Sequence, residues 1–96
     1  MTGYRVEFPQ YFDGVEHEIT AKGYFADLTI TVGSRQFRPA FYDPVRLLQD
    51  VRDELASQGS FVERSVVVVE RVTRTAIEEA IAELAKGDFR GIAEEN

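Results

Sequence analysis

Few residues in this chain are equipped for chemistry, and they are scattered. The one histidine, His17, lies between Glu16 and Glu18, and there is no cysteine. Acid–base or nucleophilic catalysis needs a proton carrier held against an oriented partner. A strand through this segment turns His17 toward the core and its two carboxylate neighbours the other way, so His17 reads as structural and no catalytic residue is assigned. A single histidine without cysteine also leaves a transition-metal site short of ligands, and neither a metal nor a cofactor is expected. There is no Walker-type phosphate loop, no Gly-x-Ser-x-Gly elbow and no calcium-loop spacing. Gly87-Asp88-Phe89-Arg90-Gly91 carries two glycines, but it follows a helix instead of opening one and reads as a helix stop and tail.

The densest polar and aromatic stretch is Phe41-Tyr42-Asp43-Pro44-Val45-Arg46, at a strand-to-helix junction. A cation in the first helical turn opposes the macrodipole. Arg46, with Arg35 and Arg38, is therefore a candidate anion site in which guanidinium forks grip an oxyanion beside Tyr42 and Asp43. The competing account is structural: Asp43 caps the helix, Pro44 takes its first position, and Arg46 pairs with Asp50 one turn on.

Composition narrows the classes. In 96 residues, 11 Lys and Arg against 17 Asp and Glu give a net charge of -6, so the basic footprint of a nucleic-acid binder is missing. Both ends of the chain are acidic, whereas residues 35–74 hold seven arginines against six acidic residues. A run such as Glu78, Glu79 and Glu83 is a solvated helix face or a surface that steers a basic protein partner. The longest aliphatic run, Val66 to Val69, is far short of the roughly 20 residues that span a bilayer, so no membrane partner is expected. The segment from Met1 to Glu7 lacks the basic flank and apolar stretch of a signal peptide. Together with the missing cysteine this suggests a cytoplasmic protein, and the bias of nine Arg to two Lys suggests a bacterial one.

The elements that must position these residues follow from periodicity. Residues 1–42 read as four strands turning at Asp13-Gly14, Lys22-Gly23 and Gly33-Ser34. About Gly33-Ser34, Val32 faces Arg35, Ile30 faces Phe37, Leu28 faces Pro39 and Ala26 faces Phe41, collecting apolar side chains on one face. The other two turns place Phe12 with Val15, Phe8 with Ile19 and Ile19 with Ala26 on a matching face. After Tyr42 the period changes. A helix capped by Asp43 carries the stripe Leu47, Leu48, Val51 and Leu55 and stops at Gly59. The strand Val66 to Val69 reads as buried on both sides. A second helix starts at Thr73 or Thr75, carries Ile77, Ala80, Ile81 and Leu84, and stops at Gly87.

The expected fold is a single α+β domain over residues 1–96, a two-layer sandwich ordered ββββαβα. It has a mostly antiparallel sheet of about five strands, two helices on one face, and a loose tail over residues 88–96. That layout leaves apolar side chains over. Alternate valines of Val66 to Val69, with Tyr11, Phe25, Ala40 and Tyr42, fall on the face opposite the helices. Either Phe89 and Ile92 of the tail cover them or a second chain does. With no catalytic group in sight, the favoured function is protein–protein contact, as a homodimer or as a partner-binding or inhibitory module. The alternative is a small anionic ligand binder or an enzyme using the Arg/Tyr/Asp cluster of Arg38, Tyr42, Asp43 and Arg46 at the sheet–helix junction.

Overall fold

The structure, a computed structural model, describes residues 3–95. Met1 and Thr2, part of the stretch read for a signal peptide, and Asn96 at the end of the tail lie outside the described residues. In chain order the elements are β1 (Arg5–Glu7), α1 (Phe12–Lys22), β2 (Tyr24–Phe25), β3 (Thr29–Val32), β4 (Arg35–Phe37), β5 (Ala40–Tyr42), α2 (Pro44–Gln58), β6 (Val66–Val68), α3 (Arg74–Lys86) and β7 (Glu94–Glu95). The class is α+β, but among the described residues there are three helices and two sheets instead of two helices on one five-stranded sheet.

The extra helix is α1, where sequence spacing predicts a strand. Phe12 donates its main-chain N–H to the Pro9 carbonyl at 3.0 Å, so the chain turns after Pro9 instead of running on to Asp13-Gly14. From there Phe12, Val15 and Ile19 recur at helical spacing; Phe12 and Ile19 are buried and Val15 packs against the core. Asp13 in the first turn and Lys22 in the last suit the helix dipole. Gly14 sits inside the helix, and Lys22-Gly23 is its C-terminus, not a hairpin turn, with Gly23 left-handed at φ +73°. His17 consequently faces solvent, not the core.

The hairpin at Gly33-Ser34 forms as expected near its tip, where Val32 pairs with Arg35 and Ile30 with Phe37. Farther down it slips by one. Phe25, not Ala26, pairs with Phe41, and Tyr24 pairs with Tyr42. Four residues of the first arm, 26–29, thus oppose three of the second, 38–40. Pro39 is fully buried there and has no N–H to give a ladder. The interruption divides the strands into two sheets, ordered β1-β3-β4-β7 and β2-β5-β6. The first is antiparallel throughout; in the second, β5 and β6 run parallel.

Paired residues share a face, so one face of the second sheet carries Phe25, Phe41 and Val67 and the other Tyr24, Tyr42 and Val68. The first face is the core, shared with Phe12 of α1 and with Ile77 and Ile81 of α3. Phe12 meets Phe8 and Phe25 edge-on, each with centroids 4.9 Å apart. Two polar contacts bind α1 to the start of α3: Thr20 Oγ1 donates to the Val72 carbonyl at 2.6 Å, and the Arg74 main-chain N–H donates to Glu16 Oε2 at 2.8 Å. α3 starts at Thr73, whose Oγ1 accepts the Ala76 N–H at 3.1 Å, with Val72 and Ile77 both fully buried around that cap.

Residues 88–95 of the tail are packed against the rest of the chain. Phe89 is buried and stacks on Phe37 at 5.3 Å, Ile92 packs against the core, and β7 pairs with β4. It therefore closes the core side and does not cross the second face. Truncating Phe12 to Ala should cost about 3–5 kcal/mol, as for a fully buried aromatic, whereas His17→Ala should stay within about 0.5 kcal/mol. Denaturant unfolding of both variants checks this; equal losses would restore the strand placement of His17.

Candidate functional site

The Tyr42–Arg46 junction is built from the ends of α1, β5 and α2. Asp43 has an extended backbone and its Oδ1 accepts the Arg46 N–H at 2.7 Å, while its own N–H donates to the Gly23 carbonyl at 2.9 Å. A Cβ on Gly23 would run into the Asp43 carboxylate, so glycine is needed both for the left-handed turn and for this approach. The Arg46 guanidinium donates to Asp50 Oδ1 at 2.9 Å and to the Lys22 carbonyl at 3.1 Å, and it lies 5.3 Å from the centre of the Tyr24 ring. Tyr42 is buried and its hydroxyl donates to Glu63 Oε1 at 2.6 Å. Each polar group singled out at this junction has an internal partner.

The three arginines of the candidate anion site are not brought together. Arg35 lies at the hairpin tip, donates to Asp88 Oδ1 at 3.1 Å and covers the Phe37 ring. Arg38 is exposed where β4 gives way to β5. Arg46 lies beyond the far end of β5, and positions 35 and 42 are seven residue steps apart along β4 and β5, on the order of 20 Å. Among the described residues no group of three or more His, Asp or Glu side chains is placed to hold a metal ion.

The apolar residues expected on an uncovered face are placed differently. Phe25 has moved to the core face, because the one-residue slip in the hairpin exchanges it with Ala26. Ala40 and Tyr42 do lie opposite the core face, but both are buried, because α2 lies over that side, its Arg46 on Tyr24 and its Asp50 and Glu54 sharing a cleft with Tyr42. Tyr11 is exposed at the start of α1, with its hydroxyl bonded to Asp27.

Exposed apolar surface occurs elsewhere, in residues the sequence assigned to the core or left in a loop. No residue of α2 is buried. Arg46, Leu47, Asp50, Val51 and Glu54 are the half-buried ones, so the inward side mixes carboxylates with aliphatics. Leu48 and Leu55 are half exposed, and Val45 is 77% exposed. Val62, in the loop after α2, is 88% exposed, and Val68 of β6 is 49% exposed. β6 is an outer strand and not a strand buried on both sides. A signal for the tilt of α2 was present in the spacing of Leu47, Asp50 and Glu54. It puts two carboxylates beside Leu47 and so turns the centre of the aliphatic stripe away from the sheet.

A second feature absent from the sequence reading is Arg74. Its guanidinium lies 4.0 Å from the Phe8 ring centre and 3.1 Å from Asp13 Oδ1. It seals the α1–α3 seam and leaves no charge free for a ligand.

Burial first, and then the hydrogen bond to Glu63 and its charge, pushes the Tyr42 hydroxyl well above the ordinary tyrosine value of about 10. The fold therefore holds the neutral hydroxyl more strongly than the unfolded chain does. That contribution is complete below about pH 10 and is lost as pH rises beyond it. Tyr11 and Tyr24 shift in the same direction, Tyr11 chiefly through its bond to Asp27 and Tyr24 chiefly through burial. Tyr42→Phe should cost about 1 kcal/mol at neutral pH and make the alkaline fall in stability shallower, as read from thermal midpoints between pH 8 and pH 11. An unchanged slope would remove Tyr42 from that account.

Searched against protein-family models, curated proteins and solved structures, the chain matches none of them.

Proposed function

We propose that this chain is a protein-interaction module whose working surface is the outward side of α2, with Val62 beside that helix in the loop that follows it, and that it acts by binding and not by catalysis. The observation that supports this reading most is the rotation of α2. A helix with a strong aliphatic stripe spends carboxylates on its inward side and leaves Val45, Leu48 and Leu55 in water. Water-exposed aliphatic area of this kind is unfavourable by about 25 cal/mol for each Å² that a partner could cover. Clustered on one side, it marks an interface more often than an accident. Arg52 and Asp53 lie beside it, a mixed-charge rim of the kind that orients partners.

A small-anion site has weaker support. Two of its three arginines are engaged by carboxylates of the same chain, Arg35 by Asp88 and Arg46 by Asp50, and an incoming anion would have to displace them.

The test replaces the outward leucines. A Leu48→Asp, Leu55→Asp double variant should keep its thermal midpoint within a few degrees, because both side chains are already half exposed. It should also lose the association seen for the unaltered chain, whether with itself in sedimentation or with a protein retained on an immobilised column. If both chains associate alike, or neither associates at all, the reading is wrong.

A further inference from the structure

We propose that residues 87–95 form a strap that lifts as a unit while the rest of the fold stays closed, held down by one side chain, Phe89, and loosened by salt. Lifting it bares Phe37 and the outer side of β4. That surface is separate from the outward side of α2, so the inference does not depend on the interaction reading.

The first argument is backbone strain where the strap begins. α3 stops at Gly87, but that glycine has φ -100°, which any residue adopts. The left-handed positions fall instead on the next two residues, Asp88 at φ +55° and Phe89 at φ +60°. Among the described residues these are the only non-glycine residues with positive φ; the others are Gly23, Gly33 and Gly59. A Cβ disfavours this conformation, mildly for aspartate and more for a bulky aromatic. Such residues persist only where their surroundings enforce them. Here the Phe89 ring does so. It is the one buried side chain of the strap, stacked on Phe37 with centroids 5.3 Å apart and met edge-on by Tyr4 at 5.6 Å. The Phe89 N–H also donates to the Leu84 carbonyl at 2.9 Å, tying the strained turn to the end of α3.

The second argument is how little else holds the strap. β7 is two residues long, with Glu95 opposite Gln36 and Glu94 opposite Phe37. Ser65 Oγ accepts the Ala93 N–H at 3.0 Å, and Ile92 is half-buried. The other contacts are charged. Arg35 reaches Asp88 Oδ1 at 3.1 Å, and Arg64 reaches the Glu94 carbonyl at 2.7 Å and Glu95 Oε2 at 4.0 Å. The Asp88 side chain is 61% exposed and that of Arg64 56%. Ion pairs so open to water contribute little and weaken as salt rises. A segment with one buried side chain, a strained backbone and exposed polar contacts belongs to the part of a fold that opens first.

α3 does not share this weakness, since Ile77 and Ile81 are fully buried and its start is tied to α1. The break between firm and weak parts therefore falls at Gly87, where a residue without a Cβ lets the chain swing away from the helix end. While the strap is down, Phe37 is 2% exposed. Once Phe89 leaves, Phe37 and Tyr4 lose the ring they both contact, and β4 loses its outer neighbour. The fold thus keeps an aromatic surface under a cover whose lifting depends on ionic strength.

Hydrogen exchange on the full chain tests this, read as protection factors at single amides. The strap amides of Phe89 and Ala93 should be about tenfold or more less protected than the core amides of Ala40 and Val69. Raising sodium chloride from about 20 mM to about 500 mM should lower strap protection about threefold and leave the core amides nearly unchanged. Two variants isolate the strain. Asp88→Gly and Asp88→Ala both remove the pair with Arg35, but only glycine accepts the left-handed turn freely. Asp88→Gly should therefore keep strap protection about fivefold higher than Asp88→Ala does. Phe89→Ala should strip protection from residues 87–95 while Ala40 and Val69 stay protected. Equal protection of strap and core, no response to salt, Asp88 variants that behave alike, or a Phe89→Ala chain unprotected throughout each overturns the strap.

Discussion

One residue of mismatch in a hairpin organises this molecule. Between the pairs Ile30–Phe37 and Phe25–Phe41 the first arm holds one residue more than the second. Because a one-residue shift turns a strand over, the mismatch sends Phe25 to the same side as Phe41 and leaves Tyr24 and Tyr42 together on the other. Pro39 fixes the place, having no N–H with which to continue the ladder through the break. Above the break the sheet has one apolar face, with Val6, Ile30 and Phe37 inward and Arg5, Thr31 and Gln36 outward. Below it both faces carry large side chains. Two faces need two covers, so α1 and α3 lie on one side of the second sheet and α2 on the other.

The two covers are unequal. α1 and α3 bring fully buried Phe12, Ile77 and Ile81 to their side and are cross-linked by Thr20, Glu16 and Arg74. α2 meets a face of tyrosines, whose hydroxyls must stay hydrogen-bonded. Its inward side is accordingly chosen for polar reach: Arg46 lies on Tyr24, and Asp50 and Glu54 line the cleft beside Tyr42, which is satisfied by Glu63. Using carboxylates inward displaces the aliphatic stripe outward. The exposed Leu48 and Leu55 are thus a consequence of the tyrosine face, and through it of the hairpin slip.

Much of this architecture is legible in the sequence where a local rule has a single solution. Asp43 with Pro44 and the glycine at position 59 each define a helix end by hydrogen bonding alone, and they fall where expected, whereas Thr73 and Thr75 both meet the rule for a helix start and the structure uses Thr73. The Gly33 turn fixes the hairpin tip for the same reason. Residues 12–22 have two solutions. Val15, His17, Ile19 and Ala21 alternate as a strand would, while Phe12, Val15 and Ile19 recur as a helix would, and Asp13-Gly14 satisfies a hairpin rule that the helix ignores. The choice is made at a distance, by the Phe8, Phe12 and Phe25 cluster and by Glu16 accepting from Arg74. The same holds for the surface: residue types at Arg35, Arg38 and Arg46 suggest an anion, but only the fold shows Arg35 paired with Asp88 and Arg46 with Asp50 at opposite ends of β4 and β5.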